Sequence, residues 1–192
     1  MSIAVEGEPT LLFSASAAWE QDYTPWPAPA LLGREPFTGE APAYLRFLTA
    51  QLSRLREDFP ICGRAALLGY SLGGLFALWA SGQTRRFSLF GSLSGSLWYD
   101  GWLDYASSFT PGDARWYLSL GRSEPGRGTE RMRDVGECTL RTKALIAERF
   151  GEECVTMQWN RGGHFTGVIG RWRKALCWAA GQKNAAVTEE KS

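Results

Sequence analysis

The stretch Gly69-Tyr70-Ser71-Leu72-Gly73-Gly74 decides how the rest of the sequence is interpreted. A short apolar run precedes it at residues 65–68, and a second one follows it at residues 75–80. This order predicts a strand, a tight turn with Ser71 at its apex, and a helix, which is the setting of a G-x-S-x-G nucleophile. We expect Gly69 and Gly73 to leave room for so sharp a turn. The alternative is a glycine-rich turn that only lets strand and helix pack closely.

Length and charge indicate one globular domain. The chain has 192 residues and a formal net charge of +1, so we expect a folded unit over residues 1–181 and a polar tail over residues 182–192. The balanced charge gives no reason to expect nucleic acid or a membrane surface as a partner. The first residues do not resemble a signal peptide, and no apolar run reaches membrane-spanning length.

The cysteines do not predict a metal centre. They are irregularly spaced without a C-x-x-C pair, and the chain has one histidine, whereas zinc sites need closer ligand pairs. We therefore predict no metal and no cofactor. The thiols are interpreted as free and partly buried in a reducing cytoplasm. They are Cys62, Cys138, Cys154 and Cys177.

Apolar periodicity predicts strands that alternate with helices. Strands are expected at residues 9–15, 65–68, 87–93, 116–120 and 154–159, and further helices at residues 42–59, about 132–150 and 168–180. The predicted fold class is α/β, an open and mostly parallel sheet of about five strands with helices on both faces. Ligands of such sheets bind beyond the carboxyl ends of the strands.

A serine nucleophile needs a base, and His164 is the candidate. It lies in Arg161-Gly162-Gly163-His164-Phe165, directly after the last predicted strand. Ser71 and His164 therefore follow carboxyl strand ends and are expected at the same edge of the sheet. The alternative is an incidental histidine, since a lone imidazole in a sequence often has no catalytic role.

The acid that would orient the imidazole is predicted to be Glu124. It follows the strand at residues 116–120 and gives the chain order serine, acid, histidine of α/β-hydrolases. Asp113 precedes that strand and lies at the wrong end, whereas Glu137 falls where a helix has begun. A solvated loop carboxylate at Glu124, Glu137 as the acid, and a dyad without an acid remain open alternatives.

Several motifs together resemble the putative-esterase family of α/β-hydrolases, which includes siderophore trilactone esterases and mycolyl-transferring antigen 85 proteins. The resemblance covers about residues 10–180. Carried over, it implies Ser71 as nucleophile, His164 as base, the Leu72 N–H as an oxyanion donor and Glu124 at the acid position. The motifs are Asp22–Pro25, Gly69–Gly74, Ser94–Tyr99, Tyr117–Gly121 with Glu124 following, and Gly163–Phe165.

One departure from the family concerns the oxyanion hole. Family members usually have further upstream strands, one of which supplies a second oxyanion donor, and this chain looks like a member that lacks them. The remaining candidates are the backbone N–H groups of Ser14, Ala15 and Ser16. A missing donor costs about a hundredfold in rate. The exposed flank of the sheet also predicts self-association into a homo-oligomer.

The aromatic residues allow two interpretations. Prolines at positions 25, 27, 29 and 36 make residues 18–40 an ordered surface loop. Its aromatic side chains either anchor the loop or line a pocket, and we favour anchoring because so long a loop needs apolar contacts. The candidates for the mouth of a substrate pocket are Tyr23, Trp26, Trp98 and Phe165. Such a lining favours an apolar or aryl ester.

These observations predict a serine hydrolase that cleaves a small-molecule carboxylic ester through an acyl-enzyme on Ser71. An acyltransferase with the same three residues is the near alternative, since only the acyl acceptor differs. The alternative from another class is a catalytically impaired hydrolase-fold module that binds a ligand or partner.

Overall fold

Four parallel strands place the candidate residues at one edge of a sheet. The computed structural model describes residues 11–31, 35–59, 61, 63–110 and 112–182. Within these ranges the strands pair in the order β1-β2-β3-β4. They are β1 (Ala66–Tyr70), β2 (Leu89–Leu93), β3 (Arg115–Gly121) and β4 (Val155–Asn160). Because all four run in the same direction, their carboxyl ends meet at one edge, and the α/β prediction is confirmed.

Helices connect the strands and begin and end where local chemistry requires it. Pro42 lies in the first turn of α2, where its missing N–H costs nothing, and the Thr129 side chain accepts from the Met132 N–H to cap α5. The long α6 ends at Gly151, whose φ of 100° favours glycine. The helices are α1 (Trp19–Asp22), α2 (Ala41–Asp58), α3 (Leu72–Ser81), α4 (Trp102–Ser108), α5 (Glu130–Arg133), α6 (Val135–Phe150) and α7 (Val168–Gly181).

The two faces of the sheet are covered differently. On one face, α2, α3, α4 and α6 enclose the larger core, which contains the fully buried indoles of Trp102 and Trp116. On the other face, Ala175 of α7 packs against the sheet, and Trp172 and Trp178 of the same helix lie beside it. Fully burying one large apolar side chain contributes about 1.5–3 kcal/mol. Helix α7 is therefore fixed across the sheet, with its amino end near the carboxyl ends of the strands.

The amino-terminal part differs from prediction. Residues 11–16 form no strand, and residues 9 and 10 of the predicted strand lie outside the described residues. Phe13 is 83% exposed, so the apolar run that suggested a buried strand is not buried. Ser14 Oγ lies 2.6 Å from the Tyr44 hydroxyl, a contact between this irregular segment and α2. A short apolar run cannot by itself distinguish a strand from a loop.

Smaller differences concern the loops. Residues 18–40 contain the single turn of α1 and an antiparallel bridge between Ala28 and Phe37. The helix predicted near residues 132–150 is interrupted at Asp134, which separates α5 from α6. Helix α7 agrees with prediction to one residue.

The structure bears on some of the predictions about membranes, cysteines and self-association. Within the described ranges, no helix is both long and apolar enough to cross a membrane. The described thiols Cys138, Cys154 and Cys177 form no disulfide, whereas Cys62 and residues 183–192 of the predicted tail lie outside the described residues. Strand β1 is an edge of the described sheet. Self-association through it stays a prediction.

Candidate active site

The candidate site is assembled from the residues that follow the four strands. Ser71 follows β1 directly, and Ser94 follows β2. Glu124 lies three residues after β3, and His164 lies four residues after β4 in the histidine loop, residues 161–167. Asp113, which precedes β3, lies at the opposite edge, as expected. Polar side chains separated by up to 93 residues are thereby brought within hydrogen-bonding distance.

The serine turn, residues 69–74, holds Ser71 in an unusual backbone conformation. Its φ is 57° and its ψ is −123°, a region that residues with a side chain rarely occupy. A Cβ on Gly69 would lie 1.9 Å from the Gly73 carbonyl oxygen, so only glycine fits at position 69. The backbone thus projects the Ser71 hydroxyl away from β1, the geometry that the G-x-S-x-G pattern predicts.

The expected role of Gly73 was wrong. A Cβ at this position would meet no described atom within 4 Å, so room for a side chain is available there. The turn requires the backbone of Gly73, which approaches Gly69, and not the absence of its side chain. Gly74 is the second constrained position, because a Cβ there would lie 2.8 Å from Ser92 Oγ on β2.

Ser71, His164 and Glu124 form one chain of hydrogen bonds, called here the Ser–His–Glu chain. Ser71 Oγ lies 3.2 Å from His164 Nε2, and His164 Nδ1 lies 2.9 Å from Glu124 Oε2. With its proton on Nδ1, the imidazole donates to the carboxylate and its Nε2 accepts from the serine hydroxyl. The arrangement can remove a proton from Ser71 and stabilise the imidazolium that results.

Glu124 is buried, with 6% of its surface exposed. Its Oε1 accepts from the Gly121 N–H at 2.7 Å, from Ser94 Oγ at 2.9 Å and from Arg171 Nη1 at 2.7 Å. Burial by itself raises the pKa of Glu124, but the hydrogen bonds, with that from His164 the strongest, outweigh it and lower the pKa below its ordinary value. The carboxylate is therefore ionised at neutral pH.

The alternative acid, Glu137, lies away from the imidazole. Glu137 lies on α6 with 70% of its side chain exposed, and it forms an ion pair with Arg141 at 3.8 Å. Its carboxylate is one helical turn from its partner on a solvated helix face. Of the two acids considered, Glu124 is the one that contacts the imidazole.

The histidine loop is tied to the serine strand through backbone and ring contacts. The Tyr70 hydroxyl donates to the His164 carbonyl oxygen at 2.5 Å, and the two rings meet edge to face at 5.4 Å. On the outer side, the Phe165 ring lies 4.9 Å from the imidazole and is 90% exposed. The imidazole is thus held between a fixed tyrosine and an accessible phenylalanine.

The oxyanion donors are only partly accounted for. Leu72 is the first residue of α3, where backbone N–H groups have no partner within the helix, so its N–H stays a candidate. The Ser16 N–H donates to the Tyr23 hydroxyl at 3.0 Å and is engaged there. Ser14 and Ala15 stay predictions. Ser96 Oγ, 3.4 Å from Ser71 Oγ, is a further hydroxyl beside the nucleophile position.

The loop aromatics are packed as anchors. Tyr23 contacts Tyr44 and Phe76 at ring distances of 5.2 and 5.9 Å, and the Trp26 N–H donates to the Asp100 carbonyl oxygen at 2.8 Å. These contacts fasten the loop to helices α2 and α3 and to the chain after β2.

The other two aromatic candidates differ from each other. The Arg131 guanidinium lies over Trp98 at 5.7 Å, whereas Phe165 lies beside the imidazole. A substrate-binding role stays a prediction for all four aromatic residues.

Three side chains of the site were missed by sequence reasoning. Tyr70 and Ser94 lie inside motifs that the sequence reveals, and Ser94 has a positive φ of 46° that only a structure could show. Arg171 lies on α7, is 1% exposed and donates to Glu124. An arginine on an amphipathic helix is ordinarily interpreted as facing solvent, so the sequence carried no signal for it.

Comparison with known proteins identifies a family. The model of the family described as Putative esterase matches residues 11–161. The chain is 31% identical over 178 residues to the uncharacterized protein YbbA of Bacillus subtilis, an alignment that covers 86% of this chain and 71% of that protein.

Solved structures share the fold. The siderophore hydrolase EstB from Aspergillus nidulans is 27% identical with a TM-score of 0.65, over 91% of this chain and 67% of that one. An IroE-like serine hydrolase from Shewanella oneidensis has a TM-score of 0.64 at 19% identity, over 83% and 56% of the two chains, and shows the fold alone. With the family match over residues 11–161, the chain belongs to the putative-esterase family of α/β-hydrolases and is an ester hydrolase.

Proposed function

We propose that this ester hydrolase works through a serine nucleophile at Ser71, with His164 as base and Glu124 as the orienting acid. The observation that carries the proposal is the Ser–His–Glu chain, with contacts of 3.2 and 2.9 Å. The positive φ of Ser71 supports it, because here the strained serine stands between β1 and α3 in a G-x-S-x-G turn, the setting of a nucleophile.

The proposed reaction has two halves. His164 Nε2 takes the proton as Ser71 Oγ attacks the ester carbonyl carbon, and the Leu72 N–H stabilises the negative oxygen. The C–O bond to the alcohol then breaks, and the alcohol leaves with the proton from Nε2. Water attacks the resulting acyl-enzyme with the same proton transfers, which releases the acid and restores Ser71.

The charge state of Glu124 supports this direction of proton transfer. An ionised, buried carboxylate beside Nδ1 stabilises the imidazolium that forms when Ser71 loses its proton. The lowered pKa of Glu124 keeps it ionised through the neutral range, so activity requires only that the imidazole be neutral before attack.

The proposed substrate class is a siderophore ester or a related aryl ester. EstB, which shares 27% identity over 91% of this chain, is a siderophore hydrolase. The Phe165 ring, 90% exposed beside the imidazole, offers an aromatic surface where an aryl acyl group would lie during attack.

Ester turnover tests the mechanism. Wild-type protein, Ser71→Ala, His164→Ala and the matched control Ser96→Ala are assayed with p-nitrophenyl acetate and with a catecholate siderophore ester. We expect loss of turnover in the first two variants and retention in Ser96→Ala, which removes a hydroxyl 3.4 Å from Ser71 Oγ. Turnover that survives Ser71→Ala would contradict the proposal.

Two further outcomes have distinct meanings. If added alcohols divert the acyl group from water in proportion to their concentration, the acyltransferase alternative is favoured. A folded wild type without turnover of either ester would favour the impaired binding module, for which the engagement of the Ser16 N–H by Tyr23 provides a reason.

A further inference from the structure

One arginine side chain contacts the carboxyl ends of all four strands. Arg171 lies at the start of α7, and 1% of its surface is exposed. Its Nη1 lies within hydrogen-bonding distance of the Tyr70 hydroxyl at the end of β1 (3.1 Å), of Ser94 Oγ after β2 and of Glu124 Oε1 after β3 (2.7 Å), and its two N–H bonds are shared among these three acceptors. Its Nη2 donates to the Gly163 carbonyl oxygen after β4 at 2.6 Å.

The space around this guanidinium is closely fitted. A Cβ on Gly121 would lie 2.5 Å from Arg171 Nη2, 2.7 Å from Glu124 Oε1 and 2.4 Å from the Gly162 carbonyl oxygen. Glycine at the end of β3 therefore makes room for the arginine, the carboxylate and the histidine loop together.

Stability alone does not account for this arginine. Desolvating a buried ion pair costs several kcal/mol per ion, and well-packed apolar residues of similar volume are often equally or more stable. Its hydrogen bonds instead go to Glu124 itself and to the residue before His164. The planar guanidinium can bind both groups at once in a fixed geometry, which a lysine ammonium cannot do.

We propose that Arg171 is a positioning residue that aligns Glu124 and the histidine loop, so that the imidazole meets Ser71 in the reactive geometry. This inference rests on the proposed serine mechanism. Arg171, Ser94 and the Gly121 N–H together occupy Oε1 of Glu124, which leaves Oε2 for His164. The Tyr70 hydroxyl lies 3.1 Å from Arg171 Nη1 and donates to the His164 carbonyl oxygen, so it links Arg171 to the backbone of the histidine loop.

Arg171→Gln, Arg171→Lys and the matched control Arg173→Met test the proposal. Arg173 lies two residues away on α7 and is exposed. Each variant is measured for its melting temperature and for kcat and KM with p-nitrophenyl acetate.

The expected results separate alignment from stability. In Arg171→Gln, kcat falls about a hundredfold with little change in KM, the cost of misplaced reacting groups. Arg171→Lys keeps the positive charge but has reduced kcat, and Arg173→Met behaves as wild type.

Specific outcomes would overturn the proposal. A folded Arg171→Gln protein with kcat within twofold of wild type shows that Arg171 is only structural. If that variant does not fold at the assay temperature, Arg171→Lys decides, and wild-type kcat in it overturns the alignment role. Failure of the serine mechanism is recognised separately, because Ser71→Ala would then remain as active as wild type.

Discussion

The two outer members of the Ser–His–Glu chain are held in place by different means. Ser71 is positioned by its own backbone, through a φ of 57° and the close approach of Gly69 to Gly73. Glu124 is positioned by hydrogen bonds from residues at or after β3, β2 and β4 and on α7. The strained conformation of the nucleophile thus lies within six consecutive residues, which the Ser71 N–H joins to β2 by donating to the Leu93 carbonyl oxygen at 3.0 Å. The acid, in contrast, depends on side chains up to 47 positions away.

This difference determines what substitutions do. A change in the serine turn alters local backbone geometry, so its effect is steric and close to all-or-none. A change around Glu124 leaves part of the hydrogen-bond network in place, so its effect is graded and sensitive to pH.

The largest expected effects are on the rate. His164→Ala removes the proposed base, and we expect kcat to fall about a millionfold or to the assay background. Glu124→Gln leaves a base without its charged partner, and we expect a loss of about 10⁴-fold. Steady-state turnover of p-nitrophenyl acetate measures both.

A control for the acid is available on the surface. Glu137→Gln changes a carboxylate that is 70% exposed and should leave kcat unchanged. Equal activity in wild type and Glu124→Gln would contradict the proposed role of Glu124 and favour a dyad.

A pair of glycines tests the steric part of the contrast. Gly69→Ala places a Cβ 1.9 Å from the Gly73 carbonyl oxygen, so we expect a loss of about 3 kcal/mol or more in unfolding free energy. Gly73→Ala adds a Cβ in open space within α3, and should be neutral or stabilising by up to about 1 kcal/mol. Urea unfolding of the two variants gives the comparison. Equal destabilisation would show that the turn is not held by this contact.

The smallest effect concerns pH. Because the folded pKa of Glu124 lies below its ordinary value of 4.5, its ionisation stabilises the fold above that pH, and the contribution is lost as pH falls through the lower folded value. Glu124→Gln lacks this contribution, so the stability gap between wild type and variant should narrow below about pH 4.5. Urea unfolding from pH 7 to pH 3 measures it. A gap that stays constant over this range would mean that the carboxyl is not stabilised in its ionised form.

The sequence predicted the parts of the molecule that local patterns encode. Strands β1 to β4, helix α3, most of helix α6 and the juxtaposition of Ser71, His164 and Glu124 follow from apolar periodicity and from the shared carboxyl edge of parallel strands. Helix α4 (Trp102–Ser108), between β2 and β3, was not predicted. Arg171 could not be found, because its contacts join α7 to four distant strand ends. Its burial depends on the packing of α7 across the sheet, which no local pattern contains.

Two errors have the same origin. The run at residues 11–13 is apolar like a strand, but Phe13 is 83% exposed, and exposure is a property of the whole fold. The requirement for glycine at position 73 was assumed from the motif, whereas the direction of its Cβ depends on how α3 leaves the turn. To avoid either error, one would need to know which residues lie nearby in the folded protein.

Covalent labelling tests the nucleophile most directly. Intact-mass analysis follows wild type, Ser71→Ala and Ser96→Ala after treatment with a fluorophosphonate, a reagent for activated serine. We predict one adduct on wild type and on Ser96→Ala, located by peptide mapping at Ser71, and none on Ser71→Ala. An adduct that persists in Ser71→Ala, or a folded wild type that gains none, would contradict it.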